Sequence, residues 1–169
     1  MENPTSVFIG YEISYFSNEE VISWAINYFS VNDYYLDEPS VLGLVSINTK
    51  LKFEIEKAGN YLSEFVHKTL PNFDIKDSES EELAKKYFET RLKEYLDSNC
   101  TPHDVCKMIS PIEQIYDFPN WIGDMYNSCD WIEPETKPTD CRHLEADITN
   151  LLNTSISSIN SRNQYKKDT

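Results

Sequence analysis

The sequence predicts a mainly α fold, a single domain of six or seven helices with a short N-terminal strand or extended arm. Two observations carry this. Apolar residues recur at steps of three and four along most of the chain, and capping residues and prolines divide that pattern into helices joined by short connections. The 169 residues are 40% hydrophobic and 13% aromatic, enough to bury a sizeable core although the formal charge is −14 at pH 7. No internal repeat or composition shift divides the chain, so residues 1–159 are expected to form the domain and residues 160–169 a polar tail.

From Val7 to Tyr15 the odd positions are Val, Ile, Tyr, Ile and Tyr, a period of two that suggests the strand or arm, though Phe8 and Phe16 blur it. Ser17 and Glu20 form a capping box, and Val21, Trp24, Ala25, Tyr28 and Phe29 follow at helical spacing. Pro39 opens an apolar stretch through Val45 whose length permits a short buried helix. Leu51, Ile55, Ala58, Leu62, Phe65 and Thr69 form one stripe of a longer helix that Pro71 ends.

Ser78 and Glu81 read as a second capping box, with Leu83, Tyr87, Phe88, Leu92 and Tyr95 on the apolar face behind it. Thr101, Pro102 and Asp104 start a further helix, which Pro111 ends or kinks. Asp117 or Asn120 can cap about three turns carrying Trp121, Ile122, Met125 and Tyr126 on one side. Residues 130–138 read as a loop. Asp140 can cap the last helix, whose face holds Leu144, Ile148, Leu151, Leu152 and Ile156. Trp24, Leu62, Phe88 and Leu152 are thereby placed in one core.

The N-terminus lacks the basic and apolar regions of a signal peptide, and the longest uncharged runs are about half what a helix needs to cross a bilayer. A cytoplasmic protein is expected, in which Cys100, Cys106, Cys129 and Cys141 are free thiols. The acid surplus repels phosphate backbones and anionic membranes and attracts basic surfaces, so direct nucleic-acid and membrane binding are disfavoured. It also serves simply to keep a protein soluble.

Chemistry is hard to place. Four glycines cannot supply a phosphate-cradling loop or a dinucleotide fingerprint, and His67, His103 and His143 belong to no HExxH motif. His143 with Glu145 resembles half of a zinc-deaminase signature, but no Cys-x-x-Cys follows. Cys100, His103 and Cys106 could hold zinc with Cys129, Cys141 or His143. They lack the paired short spacings of structural zinc sites, and buried thiols are the better account. No metal, cofactor or catalytic residue is assigned.

One segment stands out. Between Ser110 and Glu135, Tyr116, Phe118, Trp121, Tyr126 and Trp131 lie among Glu113, Asp117, Asp124, Asp130, Glu133 and Glu135, with no lysine or arginine. Aromatics ringed by acids suit a basic partner, since aromatic side chains make frequent hot spots and carboxylates pair with Lys and Arg. The candidate partner-binding set is Glu113, Tyr116, Asp117, Asp124, Asp130, Trp131, Glu133 and Glu135. Helical spacing assigns Trp121, Ile122 and Tyr126 to the core instead, and the acids compete with an ordinary solvated face.

The run Ile115-Tyr116-Asp117-Phe118-Pro119-Asn120-Trp121-Ile122-Gly123-Asp124-Met125-Tyr126, followed by Cys129-Asp130-Trp131, resembles a motif in a family of small acidic helical proteins of bacteria. Members are often encoded beside polymorphic or contact-dependent toxins. The resemblance implies an immunity protein that binds a cognate toxin domain, commonly a nuclease, and blocks it. Two other classes remain beside it: an acidic adaptor or nucleic-acid mimic, and a hydrolase using carboxylates or the Cys and His residues.

Overall fold

A computed structural model of the chain describes the backbone of residues 1–165 and the side chains of residues 1–154. Among the described residues the secondary structure is helical throughout: ten α-helices and three 3-10 turns, with no strand. They fall into two compact units, Met1–Ala84 and Lys85–Thr169, and the division lies inside a helix, where neither composition nor periodicity changes.

The first unit begins with α1 (Pro4–Glu12), where the sequence suggested a strand or arm. Asn3 caps it, its Oδ1 accepting from the Ser6 backbone N–H at 2.8 Å, and Pro4 takes the first turn, where it removes no bond. Val7, Phe8, Ile9 and Gly10 are all buried. A helix covered on nearly every side displays no amphipathic period, and the alternation at the odd positions was accidental.

α2 (Asn18–Val31) starts on the expected capping box: the Glu20 N–H donates to Ser17 Oγ at 3.2 Å, and the Ser17 N–H to Glu20 Oε2 at 2.7 Å. After a 3-10 turn at Asp33–Tyr35 come α3 (Pro39–Val45), α4 (Lys52–Ile55) and α5 (Ala58–Thr69). The stripe from Leu51 to Thr69 is thus two helices rather than one, broken at Glu56 and Lys57. α5 packs against α1, α2 and α3. Val7, Phe8, Val21, Ile22, Phe29, Leu44, Leu62, Phe65 and Val66 form the core, and Trp24 packs on its edge. Trp24 Nε1 donates to the Glu2 carbonyl at 2.9 Å, so its polar atom is satisfied while the ring covers apolar surface.

α6 (Ser78–Leu96) is capped by Asp77 rather than Ser78: the Ser80 N–H donates to Asp77 Oδ1 at 2.7 Å. These bonds from Ser80 hold the Asp77 carboxyl below its usual range. The second unit takes in the rest of α6, with Phe88, Leu92 and Tyr95 buried, followed by α7 (Pro102–Cys106), α8 (Ile109–Tyr116), α9 (Met125–Cys129) and α10 (Arg142–Tyr165). α7 starts at the expected Thr101 cap, and Asp104 completes a capping box with it. Pro111 lies in the first turn of α8, where proline is tolerated, so it neither ends nor kinks the helix as the sequence suggested.

Of the four residues assigned to one core, Leu62 is buried with Trp24 beside it in the first unit. Phe88 is buried in the second next to the Trp121 ring, and Leu152 is half-buried. α10 begins at Arg142, one residue later than a cap at Asp140 would place it, and its backbone continues to Tyr165, past the expected end near Asn160. The tail at 166–169 and the Ile156 side chain lie outside the described residues. No helix among the described residues is long and apolar enough to cross a membrane.

The cysteines require a correction. Cys106 and Cys129 form a disulfide, with Cα atoms 5.2 Å apart, and only Cys100 and Cys141 are free. α7 packs against α9, which brings the last residues of both helices together, a proximity that a separation of 23 residues does not reveal. Two thiols of the zinc candidate are therefore joined to each other. Among the described residues no group of three or more His, Cys, Asp or Glu is placed to hold a metal ion.

Candidate functional site

The distinctive segment is built from short pieces in the second unit, each held by a buried anchor. Ile109 and Ile112 fix α8, Ile122 fixes the 3-10 turn at Asn120–Ile122, Met125 and Ser128 fix α9, and Ile132 fixes the chain beyond. α8 ends at Asp117, whose N–H still donates to the Glu113 carbonyl and whose left-handed conformation (φ 53°, ψ 61°) turns the Phe118 N–H back to the same carbonyl at 3.3 Å. Phe118 follows at φ 55°, a conformation unfavourable for a bulky side chain. Pro119 next to it excludes the helical alternative at Phe118 by clashing with the preceding backbone. The result is a sharp corner that leaves the Phe118 ring exposed.

Gly123 (φ 56°, ψ −139°) makes the second corner, in a region of backbone space that is essentially restricted to glycine. A Cβ there would also come within 3.1 Å of Leu151 Cδ1. This break separates the 3-10 turn from α9 and shifts the helical phase, so the expected three continuous turns do not form. Tyr126, assigned to the core by its spacing from Ile122, is consequently half-exposed, whereas Ile122 and Met125 remain buried.

The sequence-predicted set divides accordingly. Asp117, Asp124, Asp130, Trp131, Glu133 and Glu135 are exposed. Glu113 is not at the surface: it is buried, its Oε1 has no hydrogen-bond partner, and burial pushes its carboxyl up from the ordinary value. Tyr116 is half-buried. Trp131 lies against the His143 imidazole of α10, with ring centroids 5.0 Å apart and planes at 38°, which orients the indole while leaving it 45% exposed.

Asp124 precedes α9, but its side chain makes no capping bond. Asp124 lines a groove of about 260 Å³, with Asn120 beside it and Asp147, Asn150, Leu151 and Thr154 contributed by α10. Asp147 accepts a hydrogen bond from the Ser128 hydroxyl, which ties α10 to α9 and fixes the carboxylate. Two carboxylates, two amides and one apolar wall can receive a lysine or arginine head group with its aliphatic stem. Sequence reasoning missed Asp147, which is remote in sequence, left Phe118 out of the candidate set although it is exposed, and assigned the half-exposed Tyr126 to the core. The signals available were Phe-Pro for the first corner and Gly123 for the second.

No protein-family model, no curated protein and no solved structure matches the chain.

Proposed function

We propose that this chain is a binding protein that captures the basic surface of a partner macromolecule, acting as an immunity protein for a bacterial toxin domain, an RNase or other nuclease. The observation that carries the reading is the exposed run from Asp117 to Glu135. It presents Asp117, Asp124, Asp130, Glu133 and Glu135 with Phe118, Tyr126 and Trp131 and borders the groove holding Asp124 and Asp147. A nuclease needs a positive cleft for phosphates, and an acidic face is complementary to it in sign and steers the encounter. The exposed aromatics would supply contact area that charge alone lacks.

The test is expression of the toxin domain encoded directly upstream, with and without this protein. Rescue of growth is expected, and cells dying equally in both cases would falsify the immunity reading. Neutralising the five acids together (D117N, D124N, D130N, E133Q, E135Q) should slow association and flatten its dependence on salt, because steering reflects summed charge more than any single contact. Rescue with unchanged association kinetics in that variant would keep the function and move the site elsewhere.

A further inference from the structure

We propose that the Cys106–Cys129 disulfide is a redox-sensitive clamp on the acidic and aromatic face, fixing it when oxidised and loosening it when reduced. The bond joins the last residue of α7 to the last residue of α9, and the chain it closes contains α8, both corners and the exposed Phe118 and Tyr126. Asp130 and Trp131 follow immediately after Cys129. Loss of the bond therefore releases the chain that carries α8 and both corners, and frees the face at Cys129, in its interior.

What the clamp restrains has little stability of its own. The helices in this region have five, eight and five residues, too short to persist in water without tertiary support. They pack on one another, and α9 on α10, through a few anchors, and the run between them holds two successive non-glycine residues at positive φ, Asp117 and Phe118. Strained conformations of this kind persist only where their surroundings over-determine them. A covalent tie across the segment is such a constraint.

The location also favours selective exchange. Cys106 and Cys129 are both partly exposed, so a small thiol can reach the bond. Cys141 is fully buried, and Cys100 is half-buried with its Sγ on the Arg91 carbonyl. Burial pushes both of these thiols up, which keeps them protonated and poor nucleophiles. Closure is a thiol–disulfide exchange with a low-molecular-weight disulfide. One protein thiolate attacks it, giving a mixed disulfide and releasing one small thiol, and the second cysteine then displaces the other. Two protein thiols are oxidised to one S–S bond, the small disulfide is reduced to two thiols, and the protein's two protons end on those thiols.

The ordering of the face stands on geometry alone, and its consequence for binding rests on the proposed partner role. The full chain is equilibrated in reduced and in oxidised glutathione, the thiols are mapped by alkylation and mass, and hydrogen exchange is followed by peptide. The Cys106–Cys129 bond is expected to form in the oxidised buffer. On reduction, amides in 109–131 should exchange at least about tenfold faster, while those in 18–69 keep their rates. Cys106→Ala with Cys129→Ala should match the reduced wild type in both buffers; if that variant fails to fold, the reduced wild type makes the same comparison without a substitution. Alkylation of both cysteines in the folded protein under oxidising conditions, or equal exchange in the two buffers, would overturn the clamp. No partner enters the experiment, so the clamp and the partner reading fail independently.

Discussion

In Met1–Ala84 the rings of Phe29, Phe65 and Tyr35 meet edge to face, with centroids 5.2 to 6.3 Å apart, and Phe29 and Phe65 are sealed from solvent. Between Asp117 and Trp131, in the second unit, Phe118, Tyr126 and Trp131 instead remain 67%, 51% and 45% exposed. Helix length accounts for much of the contrast. α2 and α5 have 14 and 12 residues and can each turn a continuous apolar stripe inward, whereas α9 has five and buries little beyond Met125 and Ser128. The aromatics of α2 and α5 are used for stability, and those on the short pieces of the second unit are left available for contact.

The comparison breaks first if the ring cluster is not the main support of the first unit. Phe65→Ala removes a side chain that touches both Phe29 and Tyr35 and leaves a void among fixed helices, so a loss of about 3 to 5 kcal/mol is expected in denaturant unfolding. A loss below about 1 kcal/mol would mean that the site collapses freely and that the ring contacts matter little.

Trp131→Ala probes the other side of the contrast. It should change folding stability little, since the indole is half in water, yet raise the dissociation rate of the proposed partner by an amount near 2 kcal/mol, typical of an aromatic hot spot. Equal losses in folding and binding would assign Trp131 to the fold through His143, and the difference between the units would shrink.

How much of this was legible in the sequence follows from which interactions are local. The Ser17–Glu20 capping box is a pair of bonds between residues three apart and formed as read, and the Thr101 cap with Pro102 behind it starts α7 as expected, whereas the box read at Ser78–Glu81 gave way to a cap one residue earlier at Asp77. The helical character of the chain beyond α1 was equally visible, because the three–four period needs only neighbouring residues. α1 was missed because burial on all sides erases the period, and Asn3 with Pro4 was its only local sign. The candidate face was found as a composition, but its geometry was not. Gly123 breaks the phase that placed Tyr126 inside, Glu113 turns inward, and Asp147 and the Cys106–Cys129 pair arrive from remote positions through packing.

Phe118 sharpens the contrast at a smaller energy. Its left-handed backbone disfavours a bulky residue, and its exposed ring recovers little by packing. Phe118→Gly should relieve the strain and, after the greater freedom of glycine in the unfolded chain is offset, stabilise the protein by up to about 1 kcal/mol. Partner binding should weaken in the same variant. Thermal unfolding that shows a clear loss would mean that the ring is part of the core support.

The smallest effect tests the boundary between the two uses of acid in the second unit, paired and unpaired. Partial burial raises the Asp104 carboxyl, but bonds from the Thr101 N–H and hydroxyl and from Lys107 at 2.8 to 2.9 Å outweigh it and hold the group well below the usual range. Glu113 has burial without the bonds, so its carboxyl is raised. The folded state therefore binds the Glu113 proton more tightly than the unfolded state does. This contribution to stability is fully present below the ordinary carboxylate value and is lost as pH rises through the raised folded value. Glu113→Gln removes the charge and keeps the shape, and an uncharged amide costs less to bury than an unpaired carboxylate. The variant should melt above the wild type at pH 7, and the gap should close as pH falls to about 4, where the wild-type side chain is itself protonated. A variant that melts lower at pH 7, or a gap that does not change with pH, would show that the Glu113 carboxylate is satisfied at the surface and belongs with the exposed acids after all.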